Sequence, residues 1–83
     1  MRVNFSNASD EEILSFHKSL SRKIRQIREK KGISQLDLAL DIGIKSVAFY
    51  SNCENNRYGK HFNLEHIYKI CKSLEIKIQD LFE

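Results

Sequence analysis

Few side chains in this sequence have the types and spacing that covalent or metal chemistry requires. Cys53 and Cys71 could form a disulfide, and Cys53, His61 and His66 could supply three zinc ligands. Those three lack the paired spacing of a zinc site, and two cysteines in an intracellular chain are usually small buried hydrophobic residues. No Ser/His/Asp set or carboxylate pair falls in a recognisable cleft. The sequence therefore predicts no enzymatic activity, no metal and no cofactor.

The charge distribution favours a binding function instead. Residues 18–60 hold ten Lys/Arg and four Asp/Glu, a net charge of +6, whereas the remaining residues hold four and seven, a net charge of −3. A protein with one basic end suits a polyanionic partner, although a charged block can also be only a solvated face.

The length and composition are typical of one all-α domain. The chain has 83 residues, no proline and three glycines, which suits a small helical bundle with short connections. We expect an arm over residues 1–8, either flexible or a short strand, and one domain over residues 9–83. Since there is no long apolar run and no signal peptide, the predicted location is cytoplasmic.

Capping residues and apolar stripes predict where the helices lie. The first helix begins near Ser9, which opens a capping box with Glu12, and it ends at Gly32. Its apolar residues recur at three- and four-residue steps as one stripe. The members of that stripe are Ile13, Phe16, Leu20, Ile24 and Ile27.

The later helices are shorter. Ser34 caps a second helix of about two turns, and a third runs from Lys45 or Ser46 to Asn55. Asn63 caps a fourth helix, which buries one apolar face. A last short turn, over residues 79–82, adds Leu81 to the core. The buried face of the fourth helix consists of Ile67, Ile70, Cys71 and Leu74.

Two short helices that meet at Gly43 describe a helix-turn-helix. Glycine readily takes the positive φ angle that a sharp turn requires. Ala39 must be small because the next helix crosses close to it, and Ile44 fills the gap between the two helices.

This pattern resembles the phage-repressor/Cro-like (XRE) helix-turn-helix DNA-binding domains. The resemblance covers roughly residues 20–82. It implies a five-helix, lambda-repressor-like bundle with an N-terminally extended first helix, and a third helix that lies in the DNA major groove. The residues that carry it are Ile24-Arg25-x-x-Arg28, Gly32-Ile33-Ser34-Gln35-x-x-Leu38-Ala39, Gly43-Ile44, Glu54-Asn55 and Leu64-x-x-Ile67-x-x-Ile70-x-x-x-Leu74-x-Ile76.

The third helix departs from the family pattern in its register. The family usually places two apolar core residues six and nine positions after the turn glycine, followed by Glu. Counting forward from Gly43 gives Phe49 and Asn52. Asn52 in the core would cost roughly a few kcal/mol unless its amide is hydrogen-bonded. Counting backward from Glu54 puts Tyr50 and Cys53 there instead. We therefore infer one extra residue near positions 45–46, in the turn or at the start of the helix.

That register leaves a set of residues outward that could bind DNA. Small polar side chains on the third helix can reach base edges or phosphates, and Phe49 would either touch thymine methyl groups or belong to the core. Family members contact DNA at the position of Gln35, and cations flank the helix. The predicted DNA-binding residues are Gln35, Lys45, Ser46, Ala48, Phe49, Ser51, Asn52, Asn55, Arg57 and Lys60. Glu54 is expected to pair with Arg28 or Arg25.

The resemblance implies a sequence-specific transcriptional regulator of repressor or controller type. It would bind double-stranded DNA at a two-fold operator as a homodimer, through the N-terminal arm or the apolar C-terminal end. The alternative is an antitoxin-like protein-interaction module that binds a partner protein such as a toxin. The extra residue in the turn and the N-terminal extension favour that alternative.

Overall fold

The computed structural model describes residues 6–83, so most of the predicted N-terminal arm lies outside the described residues. The described chain forms four α-helices and two 3₁₀ turns and contains no strand, and none of its helices is long and apolar enough to cross a membrane. The helices are α1 (Asp10–Lys30), α2 (Gln35–Asp41), α3 (Val47–Asn55) and α4 (Leu64–Leu74), and the 3₁₀ turns are Arg57–Gly59 and Ile78–Phe82.

The all-α prediction is confirmed, but the predicted count of five helices needs correction. The segment that corresponds to the predicted fifth helix, Ile78–Phe82, is a 3₁₀ turn rather than an α-helix. A segment this short forms few i→i+4 hydrogen bonds, and the tighter 3₁₀ geometry is common in such pieces. As predicted, this turn adds Leu81 to the hydrophobic core.

Polar caps fix where the four helices begin. The hydroxyl groups of Ser9, Ser34 and Ser46 each accept a hydrogen bond from the backbone N–H three residues later, at 3.0–3.1 Å. Asn63 caps α4, and His66 completes a capping box by accepting from the Asn63 backbone N–H. Because each cap satisfies an otherwise unpaired N–H, the predicted helix starts are confirmed at these residues.

The hydrophobic core lies where α1, α2, α3 and α4 meet. α3 packs against both α1 and α2, and the last 3₁₀ turn packs against α1 and α4. The predicted inner face of α4 is confirmed. The buried apolar residues are Leu20, Ile24, Leu38, Ala39, Ile42, Ile44, Tyr50, Cys53, Phe62, Ile67, Ile70, Cys71, Leu74 and Leu81.

The apolar stripe of α1 is only half covered. Leu20 and Ile24 are buried, whereas Ile13 and Phe16, on the same stripe, are 47% and 52% exposed. The prediction of one long amphipathic helix is confirmed, and the core covers only the C-terminal part of its apolar stripe. The buried residues of α1 all lie between Leu20 and Arg28, so its first turns lie outside the core.

Candidate nucleic-acid interface

The chain reverses sharply after α2, at Gly43. This residue has φ +82°, and its N–H donates to the Leu40 carbonyl at 3.1 Å, while the Ile44 N–H donates to the Ala39 carbonyl at 2.8 Å. This pair of hydrogen bonds is the Schellman motif, which requires a left-handed residue at this position. A Cβ on Gly43 would meet no atom within 4 Å. The backbone angle, rather than crowding, is therefore what requires glycine.

The register of α3 follows the count backward from Glu54. Tyr50 and Cys53 have no exposed surface and Glu54 is buried, whereas Asn52 is half-buried and Phe49 is 36% exposed. α3 starts only at Val47, after the connecting segment 42–46. The buried residues are therefore those given by the count backward from Glu54, and the reading of Phe49 as a core residue is wrong.

Glu54 anchors the inner face of α3. Arg28 donates two hydrogen bonds to its carboxylate, from Nε to Oε2 and from Nη2 to Oε1, both at 3.0 Å. The Tyr50 hydroxyl donates to Oε2 at 2.6 Å, and Gln35 Nε2 donates to Oε1 at 3.2 Å. One buried carboxylate therefore joins α1, α2 and α3, with the paired geometry typical of strong Arg–carboxylate interactions.

The electrostatics of this cluster keep the carboxylate charged. Burial alone would raise the pKa of Glu54, but hydrogen bonds from Arg28, Tyr50 and Gln35 outweigh it and lower the pKa. Burial and the hydrogen bond to Glu54 raise the pKa of Tyr50, so its hydroxyl stays a donor. The hydrogen bond to Glu54 raises the pKa of Arg28. The predicted pairing of Glu54 with an arginine of the first helix is therefore confirmed for Arg28.

Arg25, the other predicted partner, plays a smaller part. Its Nε lies 3.7 Å from Glu54 Oε1 and 3.8 Å from the Glu29 carboxylate, and its side chain is 47% exposed. Its Nη1 donates to Asn55 Oδ1 at 3.4 Å. Arg25 therefore adds positive charge beside α3 rather than a buried pair.

A second set of hydrogen bonds ties the C-terminal end of α3 to α1. Ser21 Oγ donates to the Cys53 carbonyl at 3.2 Å, and Asn56 Nδ2 donates to the same carbonyl at 3.2 Å. Asn56 Nδ2 also reaches the Lys60 carbonyl at 3.3 Å. Asn56 itself has φ +54°, a left-handed angle that asparagine tolerates better than most residues. The end of α3 is thus also fixed against α1.

A helix-turn-helix family model matches residues 24–81, more than two thirds of the chain. The match runs from the middle of α1 to the last 3₁₀ turn. This chain belongs to the XRE-type helix-turn-helix family. That family consists of DNA-binding transcription regulators and is not generally enzymatic. No curated protein matches the chain.

In this XRE protein the ten residues predicted to bind DNA lie on or beside α2 and α3. Those most exposed lie at the start of α3 and at its two flanks, and the others are half-buried. The exposed residues are Lys45, Ser46, Ala48, Phe49, Arg57 and Lys60, and the half-buried residues are Gln35, Ser51, Asn52 and Asn55.

Several of the predicted residues already have partners within the protein. Gln35 donates to Glu54, and Ser46 caps α3. Asn55 Nδ2 donates to the Ser51 carbonyl at 2.9 Å and to Ser51 Oγ at 3.3 Å. An amide keeps further donor and acceptor capacity after one such bond. Gln35 and Asn55 are thus positioned by the protein rather than freely mobile.

The prediction missed Val47, the first residue of α3. Its side chain is 42% exposed beside that of Ala48. The signal was present in the sequence, because a residue directly after the Ser46 cap belongs to the first turn of the helix, the part that helix-turn-helix proteins direct at base edges. The predicted set omits Val47 because it lies three residues before the inward Tyr50, a helical spacing that assigns it to the inner face.

Of the residues considered for metal or thiol chemistry, Cys53 is buried in α3 and the His66 ring packs edge-on against Phe49, with the ring centroids 6.3 Å apart. Within residues 6–83, no three His, Cys, Asp or Glu side chains converge as a metal site would require. Cys53 and Cys71 are buried and unpaired, and burial raises the pKa of both thiols. A buried thiol with a raised pKa is a poor nucleophile.

Proposed function

We propose that this protein is a sequence-specific transcription regulator of repressor or controller type that inserts α3 into the DNA major groove. The observation that supports this most is the contrast between the two faces of α3. Its inner face is fixed by the buried Glu54–Arg28 pair, while Ser46, Val47 and Ala48 at its outer start are uncovered. A rigid helix with an open first turn is what groove reading requires.

Cations at both ends of α3 would supply the contacts to phosphate. Lys45 precedes the helix, Arg57 and Lys60 follow it, and all three are exposed. Gln35, at the first position of α2, has a second amide N–H that its bond to Glu54 does not use. Such contacts position a protein on DNA without specifying its sequence.

The test is titration of duplex DNA at several salt concentrations. Affinity should fall linearly with salt on logarithmic axes, because phosphate contacts release counterions. Lys60→Ala should weaken binding to all sequences similarly and reduce the slope by about one. Lys69→Ala, an exposed lysine of α4 outside the predicted set, is the matched control and should leave the slope unchanged. No binding at low salt would exclude the proposed function.

We further propose that the protein acts as a homodimer on a two-fold operator. The surface that supports this is the N-terminal apolar face, defined as Ile13, Phe16, Leu64, Ile78 and Phe82, each at least 47% exposed. Four of these residues line a groove of about 300 Å³ whose exposed wall is almost wholly apolar. The rings of Phe16 and Phe82 stack at 5.8 Å, which joins α1 to the last 3₁₀ turn. Contiguous apolar surfaces of this kind mark interaction sites.

The charge pattern of α1 favours a second copy as the occupant of this face. The first turn is acidic over residues 10–12, and Lys18, Arg22 and Lys23 follow further along the helix. Two α1 helices packed antiparallel would place acidic turns opposite basic ones, whereas parallel packing would oppose like charges. A two-fold pair could then present two copies of α3 to half-sites one DNA turn, ~34 Å, apart.

Sedimentation velocity over a range of protein concentrations tests the homodimer. We expect the sedimentation coefficient to rise from the monomer to the dimer value as concentration increases. A monomer at every concentration, without and with DNA, would overturn the homodimer. The apolar face would then favour the antitoxin-like alternative, in which a partner protein covers it.

A further inference from the structure

α3 lacks the two side chains that most often read guanine. Its sequence, VAFYSNCEN, contains neither lysine nor arginine, and a Lys or Arg contact to guanine O6 and N7 is the commonest specific contact in the major groove. The arginines of α1 that lie beside α3 are engaged elsewhere. Arg28 is buried against Glu54, and Arg25 lies between Glu29, Glu54 and Asn55.

The outward first turn of α3 is apolar. Val47 is 42% exposed and Phe49 is 36% exposed. Ala48, the residue between them in the chain, is also exposed. The thymine methyl group is the one apolar feature that a base pair presents in the major groove. A G·C pair presents no methyl group there, so the same side chains would cover polar base edges without gaining an apolar contact. Apolar residues at this position therefore favour thymine.

Asn52 adds an amide that can recognise adenine, the base paired with thymine. It lies one turn after Ala48, on the same side of α3, and is half-buried. Asn55 differs, because its amide already bonds to Ser51 and Arg25. An asparagine amide can bond to adenine N6 and N7 at once. Of the two asparagines in α3, Asn52 is thus the one placed to read a base.

We propose that α3 reads A·T base pairs, with Val47 and Ala48 against thymine methyl groups and Asn52 on adenine. This inference rests on the proposed DNA-binding function and names the sequences it would select. The specific half-site is A·T-rich where α3 enters the groove, and guanine contributes no direct contact there. Lys45, Arg57 and Lys60 add affinity from the flanks without changing that preference.

Selection of bound duplexes from a random pool tests the proposal first. The enriched half-site should contain a run of A·T pairs at the positions protected by α3. The second step replaces single thymines of that site by deoxyuridine, which lacks only the methyl group. Losing one buried methyl contact should weaken binding about fourfold at each contacted thymine. Thymines outside the protected positions are the control and should show no change.

Variants assign these effects to residues. In Val47→Ser the deoxyuridine penalty should disappear at one thymine and remain at the others. Asn52→Ala should relax the preference at one adenine, whereas Ser73→Ala, on α4, should leave all preferences unchanged. Measuring the unfolding midpoint of each variant shows that the protein remains folded.

The outcomes separate this inference from the proposed function. If the protein binds duplex DNA but enriches G·C-rich sites, or if deoxyuridine never weakens binding, the A·T inference is wrong and the function stands. If it binds no duplex even at low salt, the proposed function is wrong. Enrichment of A·T sites together with a methyl effect that depends on Val47 would support both.

Discussion

The two halves of α1 continue one apolar stripe but lie in opposite surroundings. In the C-terminal half, Leu20 and Ile24 are buried, and Arg28 is buried with both of its Glu54 hydrogen bonds formed. In the N-terminal half, Ile13 and Phe16 remain about half exposed. The C-terminal half holds α3 in place through Arg28, and the N-terminal half leaves apolar surface uncovered.

The difference shows how one helix can serve two purposes. A buried ion pair is weak evidence for stability, but it fixes geometry because each oxygen and N–H accepts only certain directions. Exposed apolar surface fixes no geometry in the monomer, and it becomes favourable only when a partner covers it. Substitutions in the C-terminal half of α1 should therefore reduce the stability of the fold, and substitutions in its N-terminal half should affect association.

The largest effect is expected from Arg28→Ala. It leaves the Glu54 carboxylate buried without its main partner, and breaking a buried pair in this way costs about 3–5 kcal/mol of the free energy of unfolding. Urea denaturation measures the loss. Arg25→Ala is the control, because its side chain is half exposed, and it should cost less than about 1 kcal/mol. Equal losses in the two variants would contradict the assigned roles.

The same cluster predicts a loss of stability in acid. The pKa of Glu54 is lower in the folded protein than in the unfolded chain, so its contribution is fully present above the unfolded value of about 4.3 and disappears as pH falls through the folded value. Unfolding free energies of the wild type and of Glu54→Gln, measured between neutral and acid pH, should converge as pH falls. Parallel curves would show that Glu54 is not the titrating group.

A smaller effect is expected at the turn, where Gly43→Ala forces a residue with a Cβ to keep φ +82°. The cost should be about 1–2 kcal/mol, because left-handed backbone is strained for L-residues. Gly43→Asn should cost less, since asparagine tolerates this region better. Thermal and urea denaturation both measure it. A stability equal to that of the wild type in the alanine variant would mean that the turn relaxes to another backbone conformation.

The smallest effect on folding is expected from Phe16→Glu, at the uncovered half of α1. Because the ring is 52% exposed but stacks on Phe82, the free energy of unfolding of the monomer should fall by about 1 kcal/mol or less. Dimer formation, followed by sedimentation velocity, should nevertheless be lost. Leu40→Glu is the control, since Leu40 is 57% exposed on α2, outside the apolar face, and should still dimerise. Dimerisation of Phe16→Glu would show that the interface lies elsewhere.

Local signals predicted the elements well, because caps and turns depend on few residues. Ser9, Ser34 and Asn63 mark helix starts through hydrogen bonds within three residues, and Gly43 marks the turn through its own φ angle. The register of α3 was also predictable, since burying Asn52 would leave a polar group unpaired. The element at the C-terminus was predicted less accurately, because its 3₁₀ form depends on packing against α1 and α4.

The sequence predicted which residues could form the candidate site, but it did not predict which of them are hydrogen-bonded within the protein. Gln35 was expected at the DNA surface, yet its amide also bonds to Glu54 across helices. Asn55 and Asn52 look equivalent in the sequence, but only Asn55 is held by Arg25 and Ser51. Val47 was missed because its spacing of three residues from Tyr50 assigns it to the inner face, although its side chain is 42% exposed.

By itself the sequence determined where helices begin, where the chain turns, and that residues 18–60 carry the net positive charge. Caps and glycine conformation depend on neighbouring residues alone, and charge depends only on composition. Only the tertiary structure decided which arginine pairs with Glu54, which asparagine is available, and which half of the α1 stripe is covered. These outcomes depend on residues 26–35 positions apart in the chain. Their distances are fixed only once the helices have packed.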